Sequence, residues 1–372
     1  MLTDQELITI PDPIQRHFRR LERMIVRTIA DHIRHIGTVE QSHLHRLSEL
    51  QRVGFNINKI EREVARTLNI AERDVHTVLL AASRKEYNGV RQFAHLYNTT
   101  LVPFNENAAL KSLVEQIGAS TGNTFRNLSH TSANGLVDRT GRVRHLRQYY
   151  YDQIDWAVMQ AALGQDDWQA LTRSTIRHLA DGGFRQVNWA SGWSQRVDTS
   201  VRRNVLWGLG ELSRQQADMI AHEINADGME ITWHDGYRPS HNFGGQQFRM
   251  AIYRGEIRNQ LEEPNCYHRA FPIVMGVSTP SYTPSELAHK KDLNEKVFEF
   301  DGEPFTRYTA EQRQRRYETS IRKAQDRVFA FDASGDRKAV QIERTRMNQL
   351  LREYSRFSYG IGSKPFLNRI AV

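Results

Sequence analysis

Several residue classes are scarce in this chain, and each scarcity removes a class of protein. There is one cysteine, Cys266. It excludes an intrachain disulfide and a cysteine-rich zinc finger, and it fits synthesis in a reducing cytoplasm. No run approaches the roughly 20 apolar residues of a membrane helix, so no membrane partner is expected. Met1 to Glu6 have no basic stretch leading into an apolar block, and no secretory signal is expected. Acidic residues are outnumbered, 43 against 51 Lys and Arg, for a net charge of +8. That surplus favours partners rich in phosphate or carboxylate, although a solvated basic surface accounts for the charge equally well. What remains is the balance of a folded protein: 39% hydrophobic and 25% charged over 372 residues, enough for two or three domains.

From Pro13 to about Ala82 the pattern is helical. Phe18, Leu21, Met24, Ile25 and Ile29 recur at amphipathic spacing, with Arg16, Arg19, Arg20 and Arg23 to one side. Gly37 and Gly54 predict breaks, and Ile70 to Val75 predicts the start of a further helix. Short helices of this kind can form a DNA-reading helix-turn-helix, but here they read as scaffold. His32, His35, His43 and His45 read as solvated helix surface, because no clustered Cys or carboxylate completes a ligand set. From about Asn107 to Leu179 the pattern is helical again, with a turn predicted at Gly118 to Asn123. That turn lacks the Lys and Ser/Thr of a phosphate loop. Tyr149, Tyr150 and Tyr151 read as half core, with base stacking as the alternative.

After Gly182-Gly183 the character changes. Phe184 to Trp189 and Gln195 to Asp198 predict two strands around Ser191-Gly192. Asp198 is expected to cap a helix reaching about Ala226, ended by Gly228. Met229 to Trp233 alternates like a strand. It leads into His234-Asp235-Gly236-Tyr237-Arg238-Pro239-Ser240-His241, followed further on by Pro264-Asn265-Cys266-Tyr267-His268.

These motifs resemble the phage minor capsid protein 2 family, related to Mu-type head morphogenesis proteins. The resemblance runs in order through the C-terminal half: Val197 to Val205, the His/Arg-Pro-Ser-His and Asn-Cys-x-His steps, Gly276 to Thr283, Tyr308 to Arg316 and Ile321 to Ala324. Where the family carries Trp-Gln-Gly, this chain has Gly244-Gly245-Gln246. The resemblance implies a minor structural protein of a tailed-phage head, bound to the portal or inner capsid, assisting head assembly or DNA handling, with no established catalysis.

His234, His241, Cys266 and His268 offer three imidazoles and a thiol, the donors zinc prefers. The alternative is local hydrogen bonding with Cys266 as a small buried hydrophobe. Cys266 with His234 or His241, oriented by Asp235, would be the elements of a nucleophile and base. The histidines with Asp235 would suit a metal-dependent hydrolase or nuclease delivered with the genome. Toward the C-terminus two helices, Glu311 to Arg327 and Asp336 to Tyr354, are rich in arginine. Arg313, Arg315, Arg316, Arg322, Lys323 and Arg327 predict one basic surface for non-specific double-stranded DNA; Arg344, Arg346, Arg352 and Arg356 predict another. The alternative is a solvated surface balanced by Glu311, Glu318, Glu343 and Glu353. The tail from Ser358 to Pro365 is expected to be flexible.

The expected protein is therefore α+β. Residues 1–180 form a helical region docking on the portal or major capsid protein, 181–305 a mixed α/β domain with the His/Cys constellation, and 306–372 a basic helical region. The expected location is the virion.

Overall fold

Apolar residues spaced three and four apart wind most of this chain into long helices. The structure, a computed structural model, describes all residues except 1, 37–42, 130–133, 139, 163–167, 189–192, 262, 264–265 and 371–372. Gly37, the Ser191-Gly192 turn and Pro264-Asn265 fall outside the described residues. The order is α1 (Asp4–Thr9), α2 (Asp12–Ile36), α3 (His43–Arg91), α4 (Ala108–Ser129), β1 (Asn134–Val137), β2 (Val143–His145), α5 (Leu146–Ala162), α6 (Trp168–Gly182), β3 (Arg185–Asn188), β4 (Trp193–Arg196) and α7 (Val197–Glu223). There follow β5 (Gly228–Ile231), β6 (Gln247–Arg249), α8 (Met250–Ile252), a π-turn (Tyr253–Ile257), α9 (Arg258–Leu261), β7 (Ala270–Ile273), α10 (Pro284–Glu295), β8 (Phe298–Phe300), β9 (Glu303–Phe305), α11 (Arg307–Ala333) and α12 (Arg337–Gly360). The fold is α+β and dominated by helix.

Helix α3 corrects the break expected at Gly54 and the helix start expected at Ile70. Val53, Ile57, Ile60, Val64, Leu68, Ala71, Val75, Leu79 and Ala82 are all buried. Their spacing holds one apolar stripe in register from Val53 to Ala82 within a single helix of 49 residues, so tertiary burial overrides Gly54 and no helix-turn-helix forms there. The predicted turn at 118–123 is likewise helical, inside α4. A Cβ on Gly118 would lie 3.3 Å from His76 and one on Gly122 3.4 Å from Glu72, both on α3. These glycines let helices approach; they do not break one.

The main hydrophobic core draws Phe18 and Ile25 from α2, Leu68 from α3, Phe125 from α4, Tyr150 from α5, Leu209 from α7 and Phe331 from α11. A four-stranded antiparallel sheet, β2-β1-β3-β4, edges this helical body. Tyr149 and Tyr150 are buried. His32 is buried too, not solvated. Its Nδ1 lies 2.9 Å from the Tyr150 hydroxyl and its Nε2 2.6 Å from Glu49. His35 Nε2 lies 3.6 Å from the same carboxylate; the side chains of His43 and His45 are outside the described residues.

Helix α7 begins one residue before its expected cap. Arg196 is the N-cap and Asp198 is a buried first-turn residue. Asp198 belongs to an ionic cluster joining α2, β4, α7 and α11. Arg196 donates to Glu22 Oε1 at 2.8 Å and to Asp326 Oδ2 at 2.9 Å. Arg19 donates to Asp198 Oδ2 at 3.2 Å, and Arg23 lies 3.7 Å from Asp326. The helix ends at Glu223, and Gly228 opens strand β5.

Past the segment Ser358 to Pro365 the chain is anchored. It folds back on its own chain: Phe366 N–H donates to the Tyr354 hydroxyl at 2.8 Å. Arg369 lies 3.4 Å from Glu318, and Ile370 is buried.

Candidate functional site

The second sheet, β6-β5-β7, is small and antiparallel, and β5 at its centre is buried throughout. Past its end the pairing continues. Thr232 N–H donates to Arg269 O at 2.8 Å, and Arg269 N–H donates to Thr232 Oγ1 at 2.8 Å. That extension sets His234 beside His268, with ring centroids 5.8 Å apart. The Arg-Pro-Ser-His step closes as a turn, His241 N–H donating to Arg238 O at 2.8 Å. Gly245 N–H then returns to Ile231 O at 2.8 Å. Two segments distant in sequence thus converge: the loop after β5 and the residues leading into β7.

The donor atoms of His241, Cys266 and His268 lie within 4.8 Å of one another, and all three residues are buried. Cys266 Sγ is 3.7 Å from His241 Nδ1 and 3.6 Å from His268 Nδ1. His234, the fourth expected ligand, is buried nearby but stands outside this trio. Phe243 packs on the rings of both His241 and His268, with centroids at 5.1 and 5.2 Å. Gly244 is needed for room, since a Cβ there would sit 3.0 Å from His268 Nε2.

Burial, reinforced by His234, His241 and the two nearby arginines, pushes His268 down to about 3. Burial lowers His241 and raises the Cys266 thiol. The raised thiol is the opposite of an activated cysteine nucleophile. Nor does Asp235 orient an imidazole: it accepts from Trp233 Nε1 at 2.7 Å and lies 3.4 Å from Arg307. What the pocket does hold is a cluster of nitrogen and sulfur donors.

Sequence reasoning missed two carboxylates. Glu263 ion-pairs with Arg238, and its Oε2 lies 3.4 Å from His241 Nε2. Glu311 of α11 reaches under the turn at Gly236, where a Cβ would meet its carboxylate. Neither is marked by a spacing rule. A cavity of about 280 Å³ adjoins the trio, lined also by His234, Arg238 and Arg315.

The basic residues of α11 do not form the expected single surface. Arg315 lines that cavity. Arg322 donates inward to Arg369 O at 3.2 Å. Arg327 is held by Asp181 at 2.5 and 2.8 Å, and Arg313 lies over the Tyr317 ring. Arg316 and Lys323 are the exposed members of that set. Helix α12 behaves otherwise. Arg337, Lys338, Arg344, Arg352 and Arg356 are all exposed. At 100° per residue they fall within an arc of about 120° along about 28 Å of helix. Gln341, Thr345 and Asn348 fill the gaps, and no carboxylate of α12 lies on that arc. Arg356 bridges to Asp301, and by the same count Arg346 lies about 80° beyond the arc.

Compared with known proteins, the chain matches the family model for phage minor capsid protein 2 over residues 2–357. The chain belongs to that family. The match takes in the N-terminal helices as well as the C-terminal motifs. No curated protein and no solved structure matches the chain. Membership gives this minor capsid protein a structural role in the phage head and a place in the virion, in association with other virion components. Among the described residues no helix is long and apolar enough to cross a membrane.

Proposed function

We propose that this minor capsid protein is assembled inside the head beside the portal, assists head morphogenesis, and presents the outward face of α12 to packaged double-stranded DNA. The observation that carries the reading is that face: Arg337, Lys338, Arg344 and Arg352 are exposed with no α12 carboxylate among them, while Arg356 at its end is paired with Asp301. Arginine forks donate paired hydrogen bonds to phosphate oxygens, and such contacts read backbone, not base sequence. The net charge of +8 favours the same partner. The helical N-terminal region is assigned to the portal or major capsid protein.

Cross-linking mass spectrometry on purified heads tests the placement. The expected result is the protein in the particle, cross-linked to portal or major capsid protein, with photo-crosslinks to DNA between residues 337 and 356. Absence from the particle, or DNA crosslinks confined to other segments, contradicts the reading.

A further inference from the structure

We propose that His241, Cys266 and His268 bind one zinc ion through the two Nδ1 atoms and Sγ, with a fourth coordination position opening on the adjoining cavity. The spacing of the donors supports this first. Zinc bonds of about 2.3 Å to sulfur and about 2.0–2.1 Å to nitrogen, at tetrahedral angles, place sulfur and nitrogen about 3.6 Å apart. The two sulfur–nitrogen separations are 3.7 and 3.6 Å.

Proton bookkeeping supports it second. A thiol has one proton and sits between two imidazole Nδ1 atoms, so it can donate to only one of them. The two remaining ring nitrogens, His241 Nε2 and His268 Nε2, are buried and have no hydrogen-bond partner at ordinary geometry. Burying several neutral donors and acceptors so incompletely matched is costly. A cation among the three takes a lone pair from both Nδ1 atoms and the sulfur together and fixes both imidazole protons on Nε2, which it leaves for other partners.

The surroundings supply a third, separate observation. With Nδ1 on the metal, His241 carries its proton on Nε2, and Glu263 Oε2 stands 3.4 Å away, close enough to accept it after a small side-chain shift. A carboxylate behind a ligating histidine fixes its tautomer and strengthens it as a ligand. Arg238 in turn holds that carboxylate. Thiolate and imidazole donors select zinc over magnesium or calcium. Three protein ligands with one position on a cavity is the open form of a zinc site, and the closed structural form takes four. The cavity wall carries Arg238 and Arg315, so a water or small anion is the natural fourth ligand. This inference does not depend on the DNA-facing role of α12.

The test is titration of the full-length, metal-stripped protein with Co²⁺, read by its absorption spectrum, with zinc stoichiometry measured by mass spectrometry. The expected result is one ion per chain and a thiolate-to-cobalt charge-transfer band. Cys266 is the single cysteine of the chain, so the wild-type band alone identifies it as a ligand even if a ligand variant misfolds. Cys266→Ser abolishes the band, Glu263→Gln weakens binding by roughly 10- to 100-fold, and His234→Gln keeps full stoichiometry. A folded wild type that takes up neither Co²⁺ nor Zn²⁺ overturns the site. Loss of binding in His234→Gln, in a protein still folded by circular dichroism, makes His234 the fourth ligand and overturns the open position.

Discussion

Helices α11 and α12 are neighbours in sequence and pack along each other, and both are rich in arginine. They use that charge in opposite ways. In α11 three of the six arginines serve contacts within the molecule: Arg322 ties down the tail, Arg327 grips Asp181, and Arg315 lines the cavity beside the His/Cys trio. Its acids do the same, Asp326 entering the cluster around Arg196 and Glu311 reaching under Gly236. In α12 the acid Glu343 is buried while the basic residues line the outer face. Arginine count alone does not mark a nucleic-acid surface. What decides is whether carboxylates elsewhere in the chain lie opposite those arginines.

The contrast predicts different costs for removing charge. The largest effect is expected at the ionic cluster that α11 shares with α2 and α7. Replacing Arg196 with Gln leaves Glu22, Asp198 and Asp326 facing one another in a buried site, which typically costs about 3–5 kcal/mol. Chemical denaturation checks this, and a loss under about 1 kcal/mol would mean the cluster is not a closed internal unit.

A smaller effect concerns pH. Burial pushes Glu22 up to about 7, outweighing the attraction of Arg196, and it raises Asp326 as well. In the unfolded chain Glu22 ionises near its ordinary value of 4.5. Between those two values the folded state holds a proton that the unfolded state has released, so this contribution to stability falls as pH rises through the window. Glu22→Gln is expected to remove at most about 3 kcal/mol of that decline. Urea midpoints at both ends of the window measure it. A variant with the wild-type slope would show that Glu22 ionises normally. Substitutions on the outer face of α12 are expected to leave both the slope and the stability unchanged within about 0.5 kcal/mol.

What the sequence revealed follows the same division between local and distant. The loop from His234 to His241 was legible because its residues are contiguous and its turn is local. The helices were legible where the apolar spacing is local, as from Phe18 to Ile29 in α2. Gly54, Gly118 and Gly122 misled because a glycine's role depends on what faces it, and Glu72 and His76 come from another helix. The inward turn of Arg327 was illegible for the same reason: Asp181 lies 146 residues away along the chain. Glu263 precedes Cys266 by three residues, yet only the fold shows it behind His241.

The measurement that bears most directly on the account is a salt titration of double-stranded DNA binding by filter retention. It compares the wild type with an α12 variant, Arg337, Lys338, Arg344 and Arg352 each changed to Gln, and with an α11 variant, Arg316 and Lys323 changed to Gln. Each phosphate contact contributes about 0.9 to the slope of log affinity against log salt. The α12 variant is therefore expected to lower the slope by about 3–4 and the α11 variant to leave it unchanged. A slope flattened by the α11 substitutions and untouched by those on α12, or no DNA binding by the wild type at low salt, would contradict the assignment of α12 as the DNA-facing surface.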